Sequence, residues 1–196
     1  MLVIFTDYDR VSKILKTCAV RLVGKADSRV RAKLGPPLSK AAAVRQALTK
    51  DKGVAFFFFG HGELPPRGLI AQDQVSAVHS KNLALLKDRL VLAASCYSAQ
   101  SLAGAAKRHG ATVIGYYGEL RVSYRPGGRK HQAKCVLAAA LSLLDGGDAV
   151  TASQAAVAEF YKVAATLIEG NAADRVVACG SRFAAMQGSS AWPRTR

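Results

Sequence analysis

"GVAFFFFGHGE", residues 53–63, sets an unbroken apolar run directly against a histidine held between two glycines. A second run, "RLVLAASCYSA" (89–99), ends on Ser95-Cys96-Tyr97-Ser98 in much the same manner. Apolar runs of four to eight residues without alternation suit strands covered on both faces, as in parallel sheets flanked by helices. Glycine boundaries and the Phe and Val content favour strand over buried helix in both runs. In open α/β sheets, chemistry collects beyond the carboxyl ends of the strands. His61 and Cys96 are expected at two such ends.

The chain has 196 residues, 50% hydrophobic and 21% charged, which fits one globular domain with a substantial core. A single domain over 1–186 is expected, with a mobile basic tail over 187–196. No stretch is apolar enough to span a membrane. The opening "MLVIFTDYD" lacks a basic start and meets acids within a few positions, so it reads as a first strand and not a signal peptide, and a cytoplasmic location is expected. Cys18, Cys96, Cys135 and Cys179 stand far apart with no CxxC pair, which argues for free thiols and against a zinc site or a disulfide framework.

The net charge of +15 implies attraction to something acidic. Between Arg10 and Lys52 lie twelve Lys or Arg residues against Asp27 and Asp51 alone. There the basic residues interleave with Val11, Ile14, Leu15, Cys18, Ala19, Leu22 and Val23, an apolar stripe at helical period. A solvated basic face over a packed stripe is the preferred reading, with weak non-specific nucleic-acid binding the expectation beyond it. No nucleic-acid motif is present, and the basic residues are not interleaved with aromatics as a single-strand platform requires.

Strands alternate with helices along the chain. A strand over about 2–8 precedes a basic helix over about 11–23, a weak strand near Val30, and a helix near 39–50 after the Gly35-Pro36-Pro37 break. The Phe-rich strand leads into "GELPPRG", read as a loop, then a short hairpin or strand and a helix before the Cys96 strand. "AQSLAGAAKRHG" reads as a helix closed by Gly110, and "ATVIGYYG" as a parallel strand. "LRVSYRPGGRK" reads as a basic loop, followed by a helix over "HQAKCVLAAALSLLDGG". The last helix starts at a capping box formed by Thr151 and Gln154 and stops at Gly170. The pattern predicts an α/β three-layer sandwich with a mainly parallel sheet.

A cysteine attacks as thiolate, and a neighbouring histidine lowers its pKa and later protonates the departing amine. The 35 residues between His61 and Cys96 fit one crossover between neighbouring parallel strands. Gly62 lets a substrate backbone approach, and its N–H with that of Cys96 forms a candidate oxyanion hole. A cysteine phosphatase needs Arg after five residues beyond the Cys, where this chain runs Cys96-Tyr-Ser-Ala-Gln-Ser-Leu102, and a nucleophile elbow needs glycines where Ala94 and Ser98 stand. His131, in "GGRKHQAK", suits an amidotransferase-like order but reads as a solvated structural residue. His79 and His109 receive no role.

"FFFFGHGE", "GLIAQDQ" and "LVLAASCYSAQSLAGAAKRHGATVIGYYGE" together resemble the caspase-like cysteine peptidases, specifically bacterial members of the CHAT and caspase-hemoglobinase group, over residues 53–118. In that group one apolar block ends in His-Gly and a second in Ala-Cys or a close variant; Ser95 stands here before the Cys. The resemblance implies a mainly parallel six-stranded sheet, a His61/Cys96 dyad, no metal and no organic cofactor.

It also implies a protein or peptide substrate, with a separate activating or inhibitory protein and a setting in bacterial defence or cell death. Relatives that accept Arg or Lys use pocket acids, and Asp7, Asp9 and Asp73 are the candidates, each equally readable as a turn carboxylate. Cleavage after a basic residue is expected, with Arg67, Arg121, Arg125 and Arg129 as self-cleavage positions. The competing expectation is a catalytically silent scaffold of the same fold that binds a protein or nucleic acid through its basic face.

Overall fold

A computed structural model describes residues 1–169 and 183–186. In chain order its main elements are β1 (Leu2–Phe5), α1 (Arg10–Ala26), β2 (Ala32–Leu34), α2 (Ala41–Lys50), β3 (Phe56–Phe59), β4 (His61–Glu63), β5 (Gly68–Ile70) and β6 (Ser76–Val78). Then come β7 (Leu90–Ala94), a helical stretch over 99–109 whose central turn is α3 (Gly104–Ala106), β8 (Thr112–Tyr116), α4 (Pro126–Leu144), α5 (Ala149–Glu169) and β9 (Phe183–Met186). Five strands run parallel in the order β2-β1-β3-β7-β8, and β9 pairs antiparallel with β8.

The four phenylalanines of β3 explain the layering. Phe57 and Phe59 point into a core shared with Leu15 and Leu22 of α1, Val136 and Leu137 of α4, and Ala152 and Ala156 of α5. Phe56 and Phe58 point the other way, toward Val44 and Leu48 of α2, Leu69 of β5 and Leu102. All four are 0–2% exposed, so each contributes roughly 2 kcal/mol of burial. A central strand with helices on both sides has no solvent face, so its sequence does not alternate.

Arg89 completes the second layer from just before β7. It is 2% exposed, and its guanidinium donates to Asp51 O (2.7 Å), Val54 O (2.8 Å) and Leu48 O while Nε donates to Leu85 O (2.9 Å). One cation thus satisfies carbonyls at and beyond the end of α2, where helix geometry leaves them without partners.

Several boundaries differ from the sequence expectations for identifiable reasons. The first strand ends at Phe5, because Asp9 caps α1 in a capping box: Asp9 Oδ1 accepts the Ser12 N–H (2.8 Å), and the Asp9 N–H donates to Ser12 Oγ (3.0 Å). The weak strand forms as β2, slightly later than Val30. Helix α4 begins within the expected basic loop, with Pro126 in its first turn, where a missing N–H costs nothing. For α5 the cap is Asp148, whose Oδ1 accepts the Thr151 N–H (2.8 Å); Thr151 lies inside the helix. "GELPPRG" is not all loop, since Glu63 and Gly68 pair across a hairpin in a three-stranded antiparallel sheet, β4-β5-β6.

Gly110 does end the 99–109 stretch, in the left-handed conformation at φ 72°. Cys18, Cys96 and Cys135 are free thiols. Among the described residues no helix is long and apolar enough to cross a membrane. The expected Gly170 stop, Cys179 and the 187–196 tail lie outside the described residues.

Candidate active site

Strand register decides whether His61 and Cys96 meet. Phe59 of β3 lies opposite Ala94 of β7, and the Gly60 N–H extends the ladder to Ala94 O (3.3 Å). His61 and Cys96 each follow that pair by two residues. They therefore leave neighbouring strands at the same level, His61 opening β4 after the bend at Gly60 and Cys96 in the turn after β7. Cys96 packs against the core that holds Phe59 and Ala94.

The flanking glycines are required by this approach. A Cβ on Gly62 would run into the Cys96 carbonyl oxygen, and its neighbours Ser95 Oγ and Ser95 Cβ would stand at 3.0 and 3.1 Å. A Cβ on Gly60 would come within 2.6 Å of Thr6 Oγ1 at the end of β1. Glycine on both sides of His61 thus lets three strand ends close up.

His61 is held from the connection between β1 and α1. Its Nε2 lies 2.7 Å from Asp9 Oδ2, a pairing by distance without aligned hydrogen-bond geometry, with side-chain exposures of 27% and 41%. The Tyr8 ring stacks on the imidazole, centroids 5.2 Å apart at 29°. Burial raises the Asp9 carboxyl, but the Ser12 N–H, His61 and the Ser12 hydroxyl outweigh it and leave the carboxyl below its ordinary value. Asp9 is therefore a carboxylate beside the imidazole and a helix cap at once. The Tyr8 hydroxyl is pushed up to about 12 by burial and then by Asp9 and Glu63.

Cys96 is half-buried, and its described hydrogen-bond partner is Leu120, in the loop after β8. The Leu120 N–H donates to Sγ (3.3 Å), and the thiol faces Leu120 O at 4.0 Å. Burial pushes the thiol up; the Leu120 N–H opposes this, Glu119 adds to it, and the Cys96 N–H opposes it. Among the described residues the Cys96 N–H meets no main-chain acceptor.

The turn carrying Cys96 is tightly specified. Tyr97 sits at φ 53°, which costs a non-glycine residue about 1 kcal/mol or more. Its N–H donates to Gly118 O (2.9 Å), and its hydroxyl to Glu119 Oε1 (3.3 Å). Ser98 Oγ faces Ala93 O (3.0 Å) and Ser95 O (2.9 Å) and accepts the Tyr116 N–H (3.1 Å). Ser98 therefore ties the turn to β8.

The three proposed pocket acids have partners in this structure. Asp9 serves His61 and α1. Asp7 pairs with Lys16 Nζ at 2.7 Å and exchanges hydrogen bonds with Gln72. Asp73 accepts the Ala41 N–H at 3.1 and 3.3 Å, capping α2, whose own N-cap residue Lys40 supplies no side-chain bond. Two carboxylates the sequence reading passed over lie by the dyad: Glu119, bonded to Tyr97, and Glu63, two residues after His61.

His79 lies away from the dyad in the turn after β6, its Nδ1 accepting the Lys81 N–H (3.3 Å); His109 ends the 99–109 stretch and His131 lies in α4. No three His, Cys, Asp or Glu side chains converge as a metal site among the described residues. The role of Leu120 is carried by backbone and leaves no trace in residue type. The Asp9–Ser12 spacing was a legible cap signal, but its link to His61 was not.

No protein-family profile matches the chain, and no curated protein sequence matches it.

Proposed function

We propose that the protein is a caspase-like cysteine endopeptidase of the cytoplasm, cleaving protein substrates after a basic residue. The observation that supports this reading is the register: Phe59 stands opposite Ala94, so His61 and Cys96 each follow that pair by two residues, with Gly62 against the Cys96 main chain. The six-stranded caspase-like arrangement, with β9 as its sixth strand, and a setting in bacterial defence or cell death rest on the resemblance.

In the proposed reaction His61 takes the Cys96 proton and the thiolate attacks the scissile carbonyl carbon. The Gly62 and Cys96 amides stabilise the oxyanion. As the C–N bond breaks, the imidazolium gives its proton to the departing amine, leaving a thioester. Water then attacks the thioester, releasing the carboxylic acid and restoring the thiol. Asp9 is a positioning residue that orients the imidazole and stabilises its charged form, as an acid does in a Ser-His-Asp triad. The thiol–imidazole bond forms on substrate binding, since catalytic hydrogen bonds often tighten only in the Michaelis complex.

Preference for a basic residue is supported by the carboxylates beside the dyad. Glu63 and Glu119 are about half exposed; their ion-pair partners are Arg67 at 2.9 Å and Arg121 at 4.0 Å. A substrate Lys or Arg would displace such surface pairs at little cost, because exposed ion pairs are worth about 1 kcal/mol or less.

The test is a peptide library varied at the residue before the cut, with an electrophilic peptide as covalent probe. Wild type is expected to cleave after Lys or Arg and to be labelled at Cys96, with both lost in Cys96→Ala and turnover lost in His61→Ala. Undiminished cleavage by Cys96→Ala would sink the reading.

A further inference from the structure

The outward face of α1 is a second candidate site, independent of the dyad. Arg10, Lys13, Thr17, Val20, Arg21, Gly24 and Lys25 are exposed along it, at the spacing of one helical face. Lys13, Arg21 and Lys25 have no ion pair among the described residues, and α1 contains no acid. Arg10 lies 4.2 Å over the exposed Tyr124 ring. Lys13, Lys16, Thr17, Val20 and Arg21 line, with Asp7, a cavity of about 390 Å³.

We infer that this face binds the phosphate backbone of double-stranded nucleic acid. The row from Arg10 to Lys25 spans about 22 Å at the helical rise. Duplex phosphates present about one charge per 1.7 Å of axis, so the four cations along that length each find an anion within reach.

Two other acidic partners fit less well. An anionic membrane would need an apolar face to insert, but Leu15, Cys18, Ala19 and Leu22 of α1 are buried at 0–2% exposure in the core, leaving Val20 as the large apolar residue outside. An acidic protein would need a cluster of large anchors at the centre of the patch, where this face has Val20 flanked by Thr17 and Gly24. Long cations along a helix face beside a shallow hollow suit backbone contact without base readout.

The experiment is fluorescence anisotropy of a labelled 20-base-pair duplex DNA with the full chain across 50–200 mM salt. With four contacts, log affinity should fall against log salt with a slope of about −3.6. The triple variant Lys13→Gln, Arg21→Gln, Lys25→Gln should lower the slope by about 2.7 and weaken binding more than tenfold at low salt. The control triple Lys50→Gln, Lys52→Gln, Lys87→Gln removes the same charge from the opposite side of the sheet and should leave the slope unchanged. Thermal unfolding checks that both triples remain folded. Equal losses in the two triples would reduce the effect to net charge and overturn the inference. So would the absence of DNA binding, or binding confined to phosphatidylserine vesicles.

Discussion

Replacing Gly62 with alanine tests the packing on which the site depends. The added Cβ would overlap the Cys96 carbonyl oxygen and come within 3.0 Å of Ser95 Oγ. Neither backbone is free to yield. Gly62 is held in register with Leu69, and the Cys96 turn is held by the Tyr97 N–H on Gly118 O. Overlap against fixed main chain is overpacking, which costs about 1–3 kcal/mol, or about five- to 150-fold in the folding equilibrium. Urea unfolding should show a lower midpoint at unchanged m-value. Shifting the nucleophile by about 1 Å should also lower kcat/KM about 10²-fold or more. The reference is Gly24→Ala, in α1, where a Cβ meets nothing within 4 Å; it should gain up to about 1 kcal/mol from helix propensity. Two identical chemical changes then have opposite signs. If Gly62→Ala stays within about 0.5 kcal/mol of wild type and keeps its activity, the close approach of β4 to the Cys96 turn is wrong.

Asp9→Asn should keep the helix cap, since Asn caps as well as Asp, and so change stability by about 1 kcal/mol or less while lowering kcat more than it raises KM; an unchanged kcat would remove Asp9 from the proposed mechanism. It should also soften the acid limb of stability: a carboxyl lowered from 3.8 contributes above that pH and loses its contribution as pH falls through the folded value. In a Cys179→Ser background, alkylation of Cys96 should climb about tenfold per pH unit toward and past its ordinary 9.0, because burial raises the thiol. Cys18 and Cys135, pushed up to about 11 and about 12 by burial, should react far more slowly. A plateau below about pH 8 would instead reveal a preformed thiolate. Glu119→Gln should weaken the preference for Lys or Arg in the peptide library, and an unaltered profile would free Glu119 from that role. Arg89→Met should cost more than about 3 kcal/mol in urea unfolding, since it strands several buried carbonyls; a smaller loss would mean that water replaces the guanidinium.

Much of the architecture was legible because burial on both faces leaves a plain mark. Phe56–Phe59 and Leu90–Ala94 carry no alternation, so each reads as a central strand without knowledge of its neighbours. Helix boundaries were less legible. Asp9, Pro126 and Asp148 each move a start away from the expected residue, because a short polar side chain or a proline reads equally well as loop until the backbone turns around it. The β4–β5 hairpin was missed for a related reason: three-residue strands beside two prolines are too short to show a period.

The residue types themselves determined that His61 and Cys96 would stand at strand ends, with glycines beside the histidine. They said nothing about Asp9 beside that imidazole, the Leu120 amide on the sulfur, or Glu119 bonded to Tyr97. Strand order and register decided those contacts by bringing the ends of β1, β3, β7 and β8 to one edge of the sheet. Hydrophobic pattern is local and survives in the order of residues, whereas contacts between residues 22 to 52 positions apart depend on how separate strands align, which no single segment encodes.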